Sequence, residues 1–289
     1  MPGARLQISA RPAILAISPA AWLRLRKSWV MVEPQSAGVG IASEISDGVA
    51  VIRLTSPETA NAFEPGDMLR LAAAIKTATC AESVRALILI GSGRHFCAGA
   101  SFNGLAGAQN MDDLAQAVRD DVRALQAAFG ASPVVTIAAV NGIAAGAGSG
   151  IALMADLMLV ASSSRLMFPF AQIGLVPDTG LTHSLARRIG EGRAMGLFIT
   201  GGALSAKQCV DHGLALACHA DDEFFEESLK LAGKLASMPK GTHVAIRKLI
   251  ARAGSGSNKI AIDAEAEAQS VRFSVAETQQ AINALVEKI

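Results

Sequence analysis

Val134-Val-Thr-Ile-Ala-Ala-Val140, running on through Asn141-Gly-Ile-Ala-Ala-Gly146-Ala-Gly-Ser-Gly150 to Ile151-Ala-Leu-Met-Ala155, is 22 residues without a charge. A stretch of that length could cross a membrane, or it could be a buried strand turning into a buried helix. Asn141 and Ser149 interrupt it, four glycines (Gly142, Gly146, Gly148, Gly150) break its second half, and Asp156 closes it. Those interruptions favour strand–turn–helix over a span, and a strand buried on both faces belongs to a parallel sheet.

Similar short runs of Val, Ile and Leu recur outward from that stretch. Val39–Ile45, Val49–Leu54, Ala86–Gly91, Leu157–Ala161 and Leu214–Cys218 read as further strands, beside Val134–Val140. Between them, Pro65–Thr79, Met111–Phe129, Gly146–Met154, Leu181–Ile189, Arg193–Ile199, Ser205–His212 and Asp222–Ser237 read as helices. Long crossovers between strands imply an α/β fold with a parallel sheet. Beyond Lys240 no strand pattern recurs, so the tail reads as helical. No repeat or low-complexity linker separates it from the rest.

At 289 residues, 51% hydrophobic and 18% charged, the chain can bury a large core. Tyrosine is absent and aromatic residues make up 4%, which offers no stacking platform for nucleic acid. The net charge of +1 is uneven: residues 1–32 hold Arg5, Arg11, Arg24, Arg26 and Lys27 and no acid. The remainder carries 21 basic against 25 acidic side chains and should not attract a long polyanion. The leader reads as a transit peptide, a poor secretory signal, or an extension preceding a working start at Met31. The last is favoured, and residues 1–33 are expected to lie outside the fold. Cys80, Cys97, Cys209 and Cys218 lack metal-ligand spacing, and a reducing compartment is expected.

Two glycine-rich loops carry the chemistry. Gly91-Ser-Gly-Arg-His-Phe-Cys-Ala-Gly99-Ala100-Ser101 and Asn141–Gly150 each follow a strand. Small residues let backbone N–H groups approach a ligand, and two such donors on one oxygen make an oxyanion hole. The second loop is not a P-loop, since Gly-Lys-Ser/Thr is missing. Glycines used only for packing explain either loop taken alone.

Asp178, in Phe168-Pro-Phe-Ala-Gln-Ile-Gly-Leu-Val-Pro-Asp178-Thr-Gly180, is a carboxylate among Phe168, Phe170, Ile173, Leu175, Val176 and Leu181. Desolvation would raise its pKa and make it a useful base. The same Pro-Asp-Thr pattern also reads as a helix N-cap.

Together these motifs resemble the crotonase family, the enoyl-CoA hydratases and isomerases. The resemblance runs from about Val49 to the C-terminus. It is strongest in Phe96–Ala100, Ala138–Gly148 and Gly174–Gly180, with Arg193–Leu197 and Leu204–Leu214 resembling the helices that follow. It implies a spiral of ββα units over residues 34–205 that holds an acyl-CoA site, and a helical oligomerisation region over 206–289. It also implies trimers or dimers of trimers, with coenzyme A entering only as part of the substrate, no metal and no separate cofactor.

By motif position, the backbone N–H groups of Ala100 and Ala147 would hold the thioester oxygen. Where hydratases of the family carry two glutamates, this chain has Gly150 and Phe170, which cannot move a proton and would only line the substrate pocket. Asp178 stands where isomerase branches carry their single acid, including the Δ3,Δ2-enoyl-CoA isomerases and the ring-1,2-epoxyphenylacetyl-CoA isomerases. Asn103 matches a polar position of the latter, or is a turn residue.

The resemblance thus implies a double-bond isomerase. Aryl-CoA dehalogenation would need a histidine within 111–136, which contains none. Residual hydratase activity and a catalytically silent acyl-CoA binder both stay open. His183, one turn past Asp178, reads as a surface or packing histidine. Arg94 and Lys248 could meet phosphates of coenzyme A but more simply are solvated charges. No nucleic acid or membrane is expected as a partner. The expected compartment is cytoplasmic, or mitochondrial if residues 1–32 are a transit peptide.

Overall fold

The computed structural model describes residues 30–32, 38–101, 110–253 and 258–286. Seven strands form the main sheet: β1 (Val30–Val32), β2 (Ile41–Ser46), β3 (Val49–Leu54), β4 (Ala86–Gly91), β5 (Val135–Val140), β7 (Leu157–Ala161) and β10 (Ala217–His219), in that spatial order. From β3 onward every pairing is parallel. The β1–β2 and β2–β3 pairings are antiparallel, so the sheet is mixed. The signal for the hairpin lies in the sequence: Asp47-Gly48 joins β2 to β3 with both residues at positive φ, as a two-residue hairpin turn requires.

Strand β4 shows why the apolar runs fold as they do. All six residues are buried, and alternate side chains enter different cores. Leu87 and Leu89 join one cluster; Ala86, Ile88 and Ile90 join the other. Helices α1 (Asp67–Cys80) and α2 (Met111–Gly130) supply Leu71, Ile75 and Leu125 to the first cluster. Helix α7 (Phe224–Ala236) supplies Phe224 and Ala232 to the second. The period of two thus sorts side chains between two helical layers.

The opening stretch resolves into β5, a three-residue strand β6 (Ile143–Ala145) and helix α3 (Ala147–Met154). No helix among the described residues is long and apolar enough to cross a membrane. Strand β6 pairs with β8 (Arg165–Met167), and β8 with β9 (Ala203–Ser205), in a small second sheet. Strands of three residues are too short to show a period, so the sequence does not announce this sheet.

Three boundaries differ from expectation. Strand β1 falls inside residues 1–33, because Val30–Val32 pairs along the free edge of β2. The expected strand at Leu214 begins only at Ala217, because the Leu214 and Ala215 N–H groups both bond to Cys209 O at the end of α6 (Ala206–Asp211). Strand β10 and helix α7 both complete the main sheet, so the sheet continues past the expected division at residue 206.

Helices α4 (Leu181–Ile189) and α5 (Glu191–Thr200) lie between β8 and β9 in the chain. The tail is helical, as its pattern implied: α8 (Thr242–Ala253), α9 (Asn258–Phe273) and α10 (Ala276–Val286). Helix α8 buries no residue, and Ile246, Ile250, Ile260, Ile262, Val271 and Phe273 stand exposed on α8 and α9.

One side chain fastens this tail to the sheet. Arg247 of α8 makes two 2.6 Å bonds to Asp156 and donates to the carbonyls of Ser132 and Val134 at 2.8 and 2.9 Å. Asp156 in turn accepts from Thr136 N and Oγ1, so its carboxylate bridges α8 and β5. Arg247→Ala leaves the part-buried carboxylate with only its Thr136 donors and takes the guanidinium from four carbonyls. It should destabilise the fold by about 3 kcal/mol, read as a lower denaturation midpoint. A midpoint equal to that of the wild type would show the tail to be independent of the sheet.

Candidate active site

The two glycine-rich loops cross above the C-terminal ends of β4 and β5. The Phe96 and Cys97 N–H groups donate to Ile143 O, and Ala145 N donates to Cys97 O at 2.9 Å. Gly99, at φ +91°, makes the crossing possible. A Cβ there would stand 2.6 Å from Ala145 O and 3.2 Å from Ala147 N. Glycine packing and donor placement are therefore one device.

A cavity with mainly apolar walls opens beside the crossing, and Ala100, Ala147 and Asp178 all line it. Ala100 forms an isolated β-bridge with Phe63; Ala147 is the first residue of α3, where no intrahelical acceptor exists. Neither N–H has a hydrogen-bond partner among the described residues. Cys97, buried beneath the first loop, has its thiol pushed up to about 12 by burial, which favours the neutral thiol over the thiolate.

Asp178 is no helix cap. Helix α4 starts at Leu181 with Gly180 as its N-cap and no side-chain cap bond. Only the Asp178 main-chain oxygen serves the helix, by accepting from Leu181 N. One carboxylate oxygen, Oδ1, accepts from Thr179 Oγ1 at 3.3 Å. Burial holds the carboxyl above the usual carboxylate range, and the Thr179 hydroxyl lowers it by a smaller amount. The walls differ in part from expectation: Phe170, Ile173 and Leu175 line the cavity, Phe168 and Leu181 lie in the core, and Val176 is 79% exposed.

Of the two positions lacking a hydratase acid, Phe170 lines the cavity and Gly150 does not. Gly150 is buried below, and a Cβ on it would stand 1.8 Å from Thr179 Oγ1. Asn103 falls outside the described residues. His183, Arg94 and Lys248 are exposed and stand away from the cavity wall.

The sequence singles out Asp178 alone among the acids, and the cavity holds two more carboxylates. Glu64 and Asp121 also line it. Asp121 comes from α2, accepts Gly66 N at 2.7 Å, and is held above the usual carboxylate range, chiefly by burial. No local pattern marks either residue: Glu64 stands in the loop before α1, and the packing of α2 against α1 brings Asp121 to the site.

Known proteins agree with this architecture. Residues 44–289 match the sequence profile of the family described as enoyl-CoA hydratase/isomerase. A "Probable enoyl-CoA hydratase" of Rhodobacter capsulatus is 34% identical, over 86% of this chain and 95% of its own length. The 1,2-epoxyphenylacetyl-CoA isomerase of Escherichia coli is 32% identical, with the same two coverages. Among solved structures, an enoyl-CoA hydratase from Polaromonas sp. superposes with a TM-score of 0.82 at 27% identity, over 86% of this chain and 97% of that one. Crossed glycine loops at the ends of parallel strands, and a profile that spans nearly all of the described residues, lead to one conclusion: the chain belongs to the enoyl-CoA hydratase/isomerase, or crotonase, family.

Proposed function

We propose that the protein is an enoyl-CoA isomerase that moves a double bond by transferring one proton through Asp178. The observation that carries this reading is the joint lining of one cavity by a raised-pKa carboxylate and two unpaired backbone donors. A thioester oxygen accepting from Ala100 N and Ala147 N would gather negative charge as the α-proton leaves. Asp178 takes that proton, the electron pair moves into the thioester enolate, and the same carboxyl returns the proton further along the acyl chain. Coenzyme A is then part of the substrate, and the exposed apolar faces of α8 and α9 fit a trimeric assembly.

Glu64 and Asp121 give a second reading, hydration, its specific support. A purified sample given a 3-enoyl-CoA should accumulate the 2-enoyl-CoA. Given a trans-2-enoyl-CoA, it should form 3-hydroxyacyl-CoA at least about a hundredfold more slowly. Fast hydration would overturn the isomerase reading and transfer the acid role to Glu64 or Asp121. An aryl halide thioester completes the panel: release of halide would make Asp178 a nucleophile instead.

A further inference from the structure

Position 150 in this chain is more than an absent acid, because Thr179 occupies the space above it. Its Cβ and Oγ1 stand 2.6 and 1.8 Å from where a Cβ on Gly150 would be. Thr179 is buried and sits at φ +53°, a left-handed conformation that a β-branched residue rarely takes. From that seat its hydroxyl has two acceptors, Asp178 O at 2.7 Å and Asp178 Oδ1 at 3.3 Å. The main-chain oxygen already accepts from Leu181 N. No other side chain among the described residues donates to the carboxylate, whose remaining donor is the Asp178 backbone N–H.

We infer that Thr179 is a positioning residue that gives the two oxygens of Asp178 different jobs, holding Oδ1 while Oδ2 moves the proton. This rests on Asp178 being the proton carrier. With the carboxylate ionised, the hydroxyl donates to Oδ1 and fixes the carboxyl plane. Oδ2 then removes the α-proton of the acyl-CoA, and the C–H electron pair passes to the thioester oxygen. With Asp178 protonated on Oδ2, the hydroxyl proton turns to the main-chain oxygen, and Oδ2 gives the proton to a different carbon. Gly150 is the seat that lets Thr179 come close enough, so the missing side chain at 150 is the condition for the orientation of the acid.

The test uses the full chain, cis-3-hexenoyl-CoA as substrate, and kcat/KM across pH. Thr179→Val keeps shape and β-branching and removes only the hydroxyl. It should lower kcat by about tenfold and move the acidic limb up by about one pH unit, because the ionised form loses a donor. Thr179→Ser should return kcat and limb to the wild-type profile. Gly150→Ala, which displaces the hydroxyl, should move the limb in the same direction as Thr179→Val, and it reads the effect should the valine variant fail to fold. An unmoved limb in Thr179→Val or in folded Gly150→Ala overturns the inference, as does equal damage in the Val and Ser variants. Asp178→Asn separates the two levels. If it is inactive while Thr179→Val matches the wild type, Asp178 keeps its role and Thr179 loses its own. If Asp178→Asn is fully active, the reading of Asp178 itself fails.

Discussion

Asp178→Asn should slow isomerisation of a 3-enoyl-CoA by about a thousandfold with little change in acyl-CoA affinity. The amide keeps the size of the acid and its place in the cavity wall, but it cannot accept a proton from carbon and hand it back. Binding should persist, because the backbone donors at Ala100 and Ala147 are untouched. Stability gives a second readout with a definite sign. Burial raises the carboxyl of Asp178 in the folded chain above its ordinary value of 3.8. The folded state therefore holds a proton that the unfolded state has lost, and stability falls as pH rises from the unfolded to the folded pKa. Above that window the full penalty applies. At neutral pH the asparagine variant should melt no lower than the wild type, and slightly higher if burial of the charge is the main cost. A dead enzyme with an undiminished melting temperature would match a carboxylate kept for chemistry; unchanged turnover would remove Asp178 from the mechanism.

Gly99→Ala should cost about a hundredfold or more in kcat through a contact outside the reacting groups. The added methyl would meet Ala145 O at 2.6 Å and Ala147 N at 3.2 Å. Both neighbours are backbone atoms, so relief must come from the two loops moving apart, and φ +91° adds strain of its own. Parting the loops separates Ala100 N from Ala147 N. An oxyanion hole missing one donor typically loses about 3 kcal/mol of transition-state stabilisation. The loss belongs in kcat more than in KM, since the donors matter most when charge has moved onto oxygen. Wild-type kcat in a folded Gly99→Ala variant would show that these two N–H groups do not act together.

Much of this architecture is legible before any coordinates. Strands β3, β4 and β7 and helix α4 match the sequence pattern end for end, because uninterrupted apolar runs and flanking turn residues leave few other solutions. The second sheet is not legible, since three-residue strands exist only through their partners. Asp178 could be singled out because its neighbours along the chain are apolar. Asp121 could not, because its neighbours at the site come from other elements, and Glu64, although Phe63 and Pro65 flank it in the cavity wall, lies in a loop with no chemical motif around it. Gly150 shows the opposite error. It is a pocket position by motif and a buried seat in the fold, since what fills the gap above it is 29 residues further along the chain.

The contact between Gly150 and Thr179 also constrains how such a chain can change over generations. A glutamate arriving at 150 meets a threonine already in its place, and so disrupts one activity before it can supply another. A smaller residue arriving first at 179 clears the space, but it removes the hydroxyl that faces Asp178. On the proposed mechanism either order of substitution would pass through an impaired intermediate, and the effect of one change would depend on the other having occurred. The contact predicts that positions 150 and 179 are epistatic, so that exchanging one arrangement for the other would take both substitutions together.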